Sequence, residues 1–290
     1  MNGHRRWLIV TADDFGSSAE VNEAVETAHL HGLLGAASLM VGAPAAADAV
    51  RRLAGLPALR VGLHVVLVDG QCVLPARQVD ALVDRSGRFP ARMIAYSIRL
   101  FFSPRMRRQA RAEIRAQFER FRAWGLELDH VNAHKHFHLH PTVMGMILQV
   151  GREFGLKAVR LPNEPPAGAG QGGVRARAGR LAWRVFISPW MALLRWRVRR
   201  AGVCFNDYVF GLSCSGAMNE AIVLTQLAAL PSGISEMYFH PGVPGSGGGE
   251  LRALTSRRVR EMLDERGIRL TSFTELAAWQ TGATRSATQG

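Results

Sequence analysis

Two adjacent carboxylates and a run of histidines are the residues of this sequence best suited to chemistry. Asp13 and Asp14 follow the apolar run WLIVTA, and a histidine-rich segment, 134–140, follows DHVNA. Neighbouring residues of an extended chain point to opposite sides, so one carboxylate can bind a cation while the other handles a proton. A turn or a helix N-cap is the alternative that a lone Asp-Asp pair leaves open.

Alternate residues of the histidine-rich segment share one face if the chain there is extended. The four imidazoles on that face would be His134, His136, His138 and His140. Such a cluster indicates a metal site, a pH-sensitive group or a solvated surface, and we expect at least one of the four to bind a metal. Because Pro141 is expected to begin a helix, the later histidines need not share that role.

His64 lies within the apolar run VGLHVVL and is a further imidazole that a metal could use. A single histidine in such a run is more often a core residue with its hydrogen bonds satisfied. Together with Asp14 and His134 it supplies one carboxylate and two imidazoles, which leaves coordination positions open for water and substrate. This donor set suits zinc, iron, manganese or cobalt, whereas magnesium favours more oxygen ligands.

Other residues near predicted strand ends could act on a bound substrate. His240 follows EMYF and could serve as a general acid. Arg160 in KAVRLP could bind an anion or a developing oxyanion. The alternatives are a capping histidine held by Pro241 and an ordinary surface arginine. We expect His136 and His138 to contact the substrate together with Arg160.

These residues need elements that bring them together, and alternating strand-like and helix-like segments provide them. The predicted strands are Trp7–Ala12, Ala37–Val41, Leu59–Leu67, Leu128–Ala133, Ala158–Leu161, Glu236–Phe239 and Arg269–Phe273. The predicted helices are Ala19–His31, Ala45–Leu53, Arg105–Trp124, Thr142–Phe154, Ala217–Leu230 and Leu251–Arg266. This alternation predicts a mostly parallel sheet, open or closed into a barrel. The candidate residues then meet at the carboxyl edge of the sheet, where sites of such folds form.

Length, charge and cysteine content narrow the class of protein. The 290 residues are 48% hydrophobic, which is enough for a sizeable core without disulfides. Three cysteines with no CxxC spacing favour a reducing, cytosolic compartment. Neither a signal peptide nor a membrane-spanning segment is expected. The glycine-rich segments match no P-loop, and no GxGxxG directly follows a predicted strand, which argues against a nucleotide cofactor.

Arginine accounts for most of the net charge of +13 and is concentrated in two segments. Eight arginines lie between Arg99 and Arg122, and eight more lie between Arg175 and Arg200, where no acidic residue occurs. Tryptophan and aliphatic residues alternate with the second group, which is typical of a helix in a membrane interface. We therefore expect peripheral membrane contact. A solvated helix pair is the alternative, and nucleic-acid binding is not expected because no known motif accompanies the arginines.

Four motifs give the chain a resemblance to a known family. The segments Thr11-Ala-Asp-Asp-Phe-Gly16, Gly62-Leu-His64, His134-x-His-x-His138-x-x-Pro141 and Phe239-His-Pro241 resemble those of the YdjC-like family, the chitooligosaccharide deacetylases and their relatives. They occur in the family's order and span residues 11–241. The run from His130 to Pro141 looks most like the hopanoid-biosynthesis-associated (HpnK) branch.

The resemblance implies a distorted (β/α) barrel related to NodB-type carbohydrate deacetylases. We expect it over residues 1–280, with arginine- and tryptophan-rich insertions near 95–125 and 174–201 and a flexible tail over 281–290. It also implies one divalent metal ion, magnesium or zinc, with Asp14, His64 and His134 as ligands. By analogy with the NodB-type arrangement, Asp13 would be the general base and His240 the general acid. Members that act on chitooligosaccharides often have Asp at the position of Asn132, and its absence argues against that substrate.

The expected activity is the hydrolytic removal of an N-acetyl group from an amino sugar carried by a hopanoid lipid. The enzyme would act in the cytoplasm, at the inner face of the membrane. Enzymatic alternatives are a deacetylase of soluble oligosaccharides and a metal phosphoesterase, which would need ligands for two or three ions. A non-catalytic lipid or nucleic-acid binder is the remaining alternative, and it predicts neither metal binding nor acetate release.

Overall fold

The computed structural model describes residues 5–165, 188–242 and 248–287, with side chains as far as residue 280. A nine-stranded sheet lies at its centre. Its strands are β1 (Arg6–Phe15), β2 (Ala36–Leu39), β3 (Arg60–Val65), β4 (Val131–Ala133), β5 (Ala158–Val159), β6 (Cys204–Phe205), β7 (Tyr208–Phe210), β8 (Gly233–Phe239) and β9 (Ile268–Leu270). The order is β6-β5-β4-β3-β2-β1-β8-β7, and β9 pairs with the first three residues of β1. Every pairing between these strands is parallel.

Helices lie alongside this sheet. They are α1 (Ala19–His31), α2 (Ala46–Arg52), α3 (Met93–Phe102), α4 (Pro104–Ala123), α5 (Pro141–Glu153), α6 (residues 188–200), α7 (Glu220–Ala228), α8 (Gly249–Leu254), α9 (Arg257–Glu265) and α10 (Phe273–Ala287). The sheet curls into a half-barrel, which confirms the predicted distorted (β/α) barrel.

Capping residues account for where several helices begin. The Ser18 side chain accepts a hydrogen bond from the Val21 N–H at the start of α1, and Ser103 does the same for Met106 in α4. A proline occupies the first turn of both α4 and α5, where its missing N–H leaves no intrahelical bond unmade. Local sequence therefore sets these helix starts.

Alternation along the strands separates two hydrophobic clusters. The larger lies between the sheet and the helices and includes Leu8 and Val10 of β1. Ile9 points to the opposite face, as period-two alternation requires, and packs in a smaller cluster with Ile234 of β8 and Phe273 of α10. The inner face of the half-barrel is thus apolar at the amino ends of its strands.

The histidine-rich segment is not extended, so the prediction of four imidazoles on one face is wrong. Strand β4 ends at Ala133, and Lys135 and His136 then adopt left-handed φ angles of 51° and 53°. These two residues form a kink within the 3-10 segment 134–139, so the period-two alternation of an extended chain is lost. His140 caps α5, because its Nδ1 accepts the Thr142 N–H.

The first arginine-rich segment forms α3 and α4, and α4 packs against α5 and β3. Residues 174–187 of the second segment lie outside the described residues, and its remainder forms α6. Helix α10 continues to Ala287, into the stretch expected to be a tail. In the described part of the chain no helix combines the length and the apolar character that crossing a bilayer requires.

Candidate active site

Strand β1 ends in a bulge that turns its two carboxylates in different directions. Between its pairings with Ala37 and Leu39 of β2, strand β1 has one residue more than β2. Within this bulge Asp14 adopts a φ of 61°. A bulge at a strand end re-aims the side chains it carries. Asp14 hydrogen-bonds with His134, whereas Asp13 pairs with Arg160. The two carboxylates therefore have separate partners.

Asp14, His64 and His134 come together from the carboxyl ends of β1, β3 and β4. Asp14 Oδ1 lies 3.0 Å from His134 Nδ1 and 3.3 Å from His64 Nε2. One ligand atom from each residue lies within 4.8 Å of the other two, and the described residues contain no other such group of three. One carboxylate and two imidazoles are a donor set for a divalent ion such as zinc or manganese.

Asn132 of β4 fixes the tautomer of His64. Its Nδ2 donates to Asp13 Oδ1 and to Ser38 Oγ, both at 2.9 Å, so its Oδ1 is an acceptor. That oxygen lies 2.6 Å from His64 Nδ1, which must therefore carry the proton. The lone pair of His64 is then on Nε2, the atom that faces Asp14. This is the tautomer that a metal ligand at Nε2 needs, so the residues present fit a divalent cation.

Arg160 holds Asp13 from inside the half-barrel. Its Nη2 donates to Asp13 Oδ1 at 2.9 Å and to Glu236 Oε1 at 2.7 Å, and its Nε donates to Glu236 Oε2 at 2.9 Å. Arg160 is fully buried. The expected contact with substrate does not match this placement, because the guanidinium is enclosed and occupied by two carboxylates.

Arg160 also keeps Asp13 ionised. Burial alone would raise the pKa of Asp13, but the nearby guanidinium charge and its hydrogen bonds hold that pKa well below the usual range. Asp13 is therefore ionised at neutral pH and can accept a proton.

His240 lies half-buried at the same edge, directly after β8. Its backbone N–H is held by the buried carboxylate of Glu250, and its ring meets Tyr238 edge-on, with centroids 5.5 Å apart. The Tyr238 hydroxyl in turn lies 3.1 Å from His136 Nε2. The site thus brings Asp13, Asp14 and His240 to one edge, as the sequence predicted.

His136 and His138 lie deeper than expected. His138 is buried, and burial together with the charge of Arg160 lowers its pKa to about 3. The pKa of His136 is lowered well below its usual range for the same two reasons, burial being the larger. Both are neutral at neutral pH. The burial of His138 does not match the expected contact with substrate, whereas the half-buried His136 remains a candidate for it.

Sequence reasoning missed several buried polar groups around the site. Ser38 Oγ lies 2.9 Å from His130 Nε2, and His130 Nδ1 lies 2.8 Å from Asp129 Oδ2. Glu236, the partner of Arg160, could have been noticed as a lone acid within the strand GISEMYF. Ser38 gives no comparable signal, because serine is unremarkable within AASL.

Comparisons with known proteins point to one family. The family model described as YdjC-like protein matches residues 7–265. The chain is 37% identical over 160 residues to a carbohydrate deacetylase of Geobacillus stearothermophilus, covering 55% of this chain and 60% of that protein. It is 31% identical over 303 residues to a carbohydrate deacetylase of Mus musculus, covering 95% and 96%. The match thus spans about three fifths of the bacterial relative's length and nearly all of the mouse one.

A solved structure shares the fold. It is a protein from Enterococcus faecalis V583, provisionally described as a cellobiose-phosphate cleavage protein. It superposes with a TM-score of 0.70 at 21% sequence identity, covering 94% of this chain and 99% of that chain. At this identity the likeness concerns the fold alone.

Proposed function

Since the chain belongs to the YdjC-like protein family, we propose that it is a metal-dependent carbohydrate N-deacetylase. The observation that carries the proposal is the shared edge on which Asp14, His64 and His134 face one another beside the ionised Asp13. Relatives named carbohydrate deacetylases support the reaction class. A divalent ion bound by the three facing residues would supply Lewis-acid polarisation of the acetamide oxygen and would acidify water.

The protein's own residues then divide the proton transfers between them. Asp13 accepts the proton of the attacking water as general base, and Arg160 holds its carboxylate in one orientation. His240 gives a proton to the amine nitrogen as the bond between carbonyl carbon and nitrogen breaks. Acetate and a free amino sugar are the products. His136, which is hydrogen-bonded to Tyr238, would contact the sugar.

We propose an N-acetylated amino sugar linked to a hopanoid lipid as the substrate. The likeness of the run from His130 to Pro141 to the hopanoid-associated branch supports this substrate. None of the three cysteines forms a disulfide in the described residues, which supports a reducing compartment and hence the cytoplasmic side of a membrane. The phosphoesterase alternative is less well supported, because the described residues hold one carboxylate–imidazole trio rather than ligands for several ions.

Acetate release tests the proposed function directly. The purified protein is incubated with an N-acetylglucosaminyl lipid and with soluble N-acetylated oligosaccharides, with chelator and after adding back magnesium, zinc or manganese. We expect acetate, measured by mass spectrometry, to disappear with chelator and to return with one of the ions. No acetate from any of these substrates with the metal-loaded protein would contradict the proposal.

The Asp13→Asn variant tests the general base. Its amide cannot accept the water proton, so we expect turnover to fall at least about 100-fold while bound metal, measured by elemental analysis, stays at the wild-type level. Asp264→Asn, an exposed carboxylate on α9, is the matched control and should keep full activity. Unchanged turnover in Asp13→Asn would refute the base assignment.

A further inference from the structure

Helix α3 carries a stripe of four apolar side chains that the described residues leave exposed. The four side chains are Ile94 (80% exposed), Ile98 (56%), Phe101 (45%) and Phe102 (73%). Steps of four, three and one residues place them on one side of the helix, which we call the α3 stripe. Tyr96 and Leu100 point to the opposite side and are buried. Single exposed apolar residues are ordinary, but four on one helical face mark an interaction surface.

Positive charge surrounds the α3 stripe. Residues 85–112 contain eight arginines and neither aspartate nor glutamate. Six of them are exposed and form no salt bridge in the described residues: Arg85, Arg92, Arg99, Arg107, Arg108 and Arg111. Arg99 lies three residues before Phe102, so the two side chains are neighbours on the helix surface. An apolar face bordered by arginine is the pattern of a helix that lies in a membrane interface.

The apolar α3 stripe and the arginines around it together favour a lipid surface as the partner. Helix α3 has ten residues, too few to span a bilayer but enough to lie along its surface. A second copy of this chain, with its net charge of +13, would be repelled by the same arginines. Nucleic acid would satisfy the arginines but would leave the two aliphatic members of the α3 stripe in water. We propose that the α3 stripe docks the protein on an anionic lipid surface.

The position of α3 gives this docking a consequence for the candidate site. The Phe101 ring lies 6.0 Å from that of His140, and Tyr96 stacks on Phe137 at 5.7 Å. Both partners belong to the segment that begins with the candidate ligand His134. A docked protein would therefore hold this segment close to the lipid surface, where a lipid-linked sugar is found. This consequence rests on the proposed function, whereas the docking does not.

Vesicle co-sedimentation of the full chain tests the docking. We expect binding to phosphatidylcholine vesicles that contain phosphatidylglycerol, weaker binding to phosphatidylcholine alone, and loss of binding in high salt. The double variant Ile98→Asp with Phe102→Asp should bind at least about tenfold more weakly. The matched control, Leu30→Asp with Leu270→Asp, changes two exposed leucines elsewhere, on α1 and β9, and should bind as wild type.

A charge-reversal pair isolates the role of arginine. Arg99→Glu and Arg258→Glu change the net charge equally, but Arg258 lies on α9, away from α3. We expect only Arg99→Glu to weaken binding to anionic vesicles beyond the effect of net charge. Equal weakening by the two variants would contradict the role of α3.

The remaining outcomes separate docking from catalysis and from self-association. No vesicle binding at low salt, or equal loss in both double variants, overturns the docking proposal. The docking proposal is also overturned if light scattering shows that the wild type is a dimer and that the Ile98→Asp and Phe102→Asp changes dissociate it. Acetate release from a soluble substrate should be unchanged in that variant. A protein that binds vesicles through α3 but releases no acetate would retain the docking and contradict the proposed function.

Discussion

At the scale of single residues, Asn132 connects the two parts of the candidate site through one amide. Its oxygen accepts from His64, a candidate metal ligand, and its nitrogen donates to Asp13, the candidate base. A carboxylate at this position could accept from His64 but could not donate to Asp13. The amide therefore serves both neighbours without placing a second negative charge beside the base.

Replacing Asn132 should weaken metal binding more than folding. Asn132→Ala removes the acceptor that fixes the His64 tautomer, and we expect affinity for zinc or manganese to fall about 10- to 100-fold, measured by calorimetric titration. Asn206→Ala is the matched control, since Asn206 is equally buried and hydrogen-bonded but contacts none of the candidate ligands. Equal losses of metal affinity in the two variants would show that the effect is structural.

Sequence pattern predicted the candidate ligands but not the placement of Arg160. Asp14, His64 and His134 each follow or end an apolar strand, so the carboxyl-edge rule was sufficient to bring them together. The carboxylates that enclose Arg160 lie 147 and 76 residues away along the chain. Whether an arginine after a strand is buried depends on such long-range partners, and no local pattern reports them.

At the scale of elements, the motif Gly62-Leu-His64 owes its glycine to a close contact across the sheet. A Cβ at Gly62 would lie 2.4 Å from Cε1 of His130 on the neighbouring segment. His130 stacks on Phe273 of α10, with centroids 4.7 Å apart, and so cannot easily move away. The missing side chain at Gly62 thus leaves space for the His130 ring. That ring hydrogen-bonds with Ser38, which in turn accepts a hydrogen bond from Asn132.

Gly62→Ala should therefore destabilise the fold by about 1–3 kcal/mol, the usual range for overpacking a filled core. Urea unfolding gives the free energy. Gly145→Ala in α5 is the matched control, because nothing lies within 4 Å of its added Cβ, and it should be neutral or stabilising. A Gly62→Ala protein as stable as wild type would mean that His130 can shift without cost.

Elements with a long and regular apolar pattern were predictable, whereas several short or outward-facing elements were not. The helix at Ala19–His31 was predicted at its observed bounds, and all seven predicted strands are present. Strands β6 and β7 have two and three residues, too few for a periodic pattern. Helix α3 was missed because much of its apolar surface faces outward. The turn at Lys135 follows from left-handed φ angles, which alternating histidines do not signal.

At the scale of the whole molecule, the candidate ligands come from three strands that are distant in sequence. A shared ion would join the ends of β1, β3 and β4 in the folded state, whereas the unfolded chain does not hold these residues together. Binding of the ion should therefore stabilise the fold, by about 2.7 kcal/mol at an ion concentration 100 times the dissociation constant.

Thermal unfolding with zinc or manganese, and with chelator, measures this stabilisation. We expect the ion to raise the Tm of the wild type and to leave that of His134→Ala unchanged, because the variant lacks one ligand. His31→Ala, an exposed histidine at the end of α1, should respond as wild type. An equal rise in the His134→Ala variant would place the ion elsewhere.

The buried ion pair described above has a consequence for electroneutrality. Asp13, Asp14 and Glu236 bring three negative charges to the rim of the half-barrel, and Arg160 brings one positive charge. When the imidazoles of the site, that of His240 included, are neutral, a deficit of two positive charges is left in a region of low dielectric. A doubly charged ion cancels that deficit, while sodium or potassium would leave it half compensated. The carboxylates and the one guanidinium around the site therefore favour a divalent ion over a monovalent one.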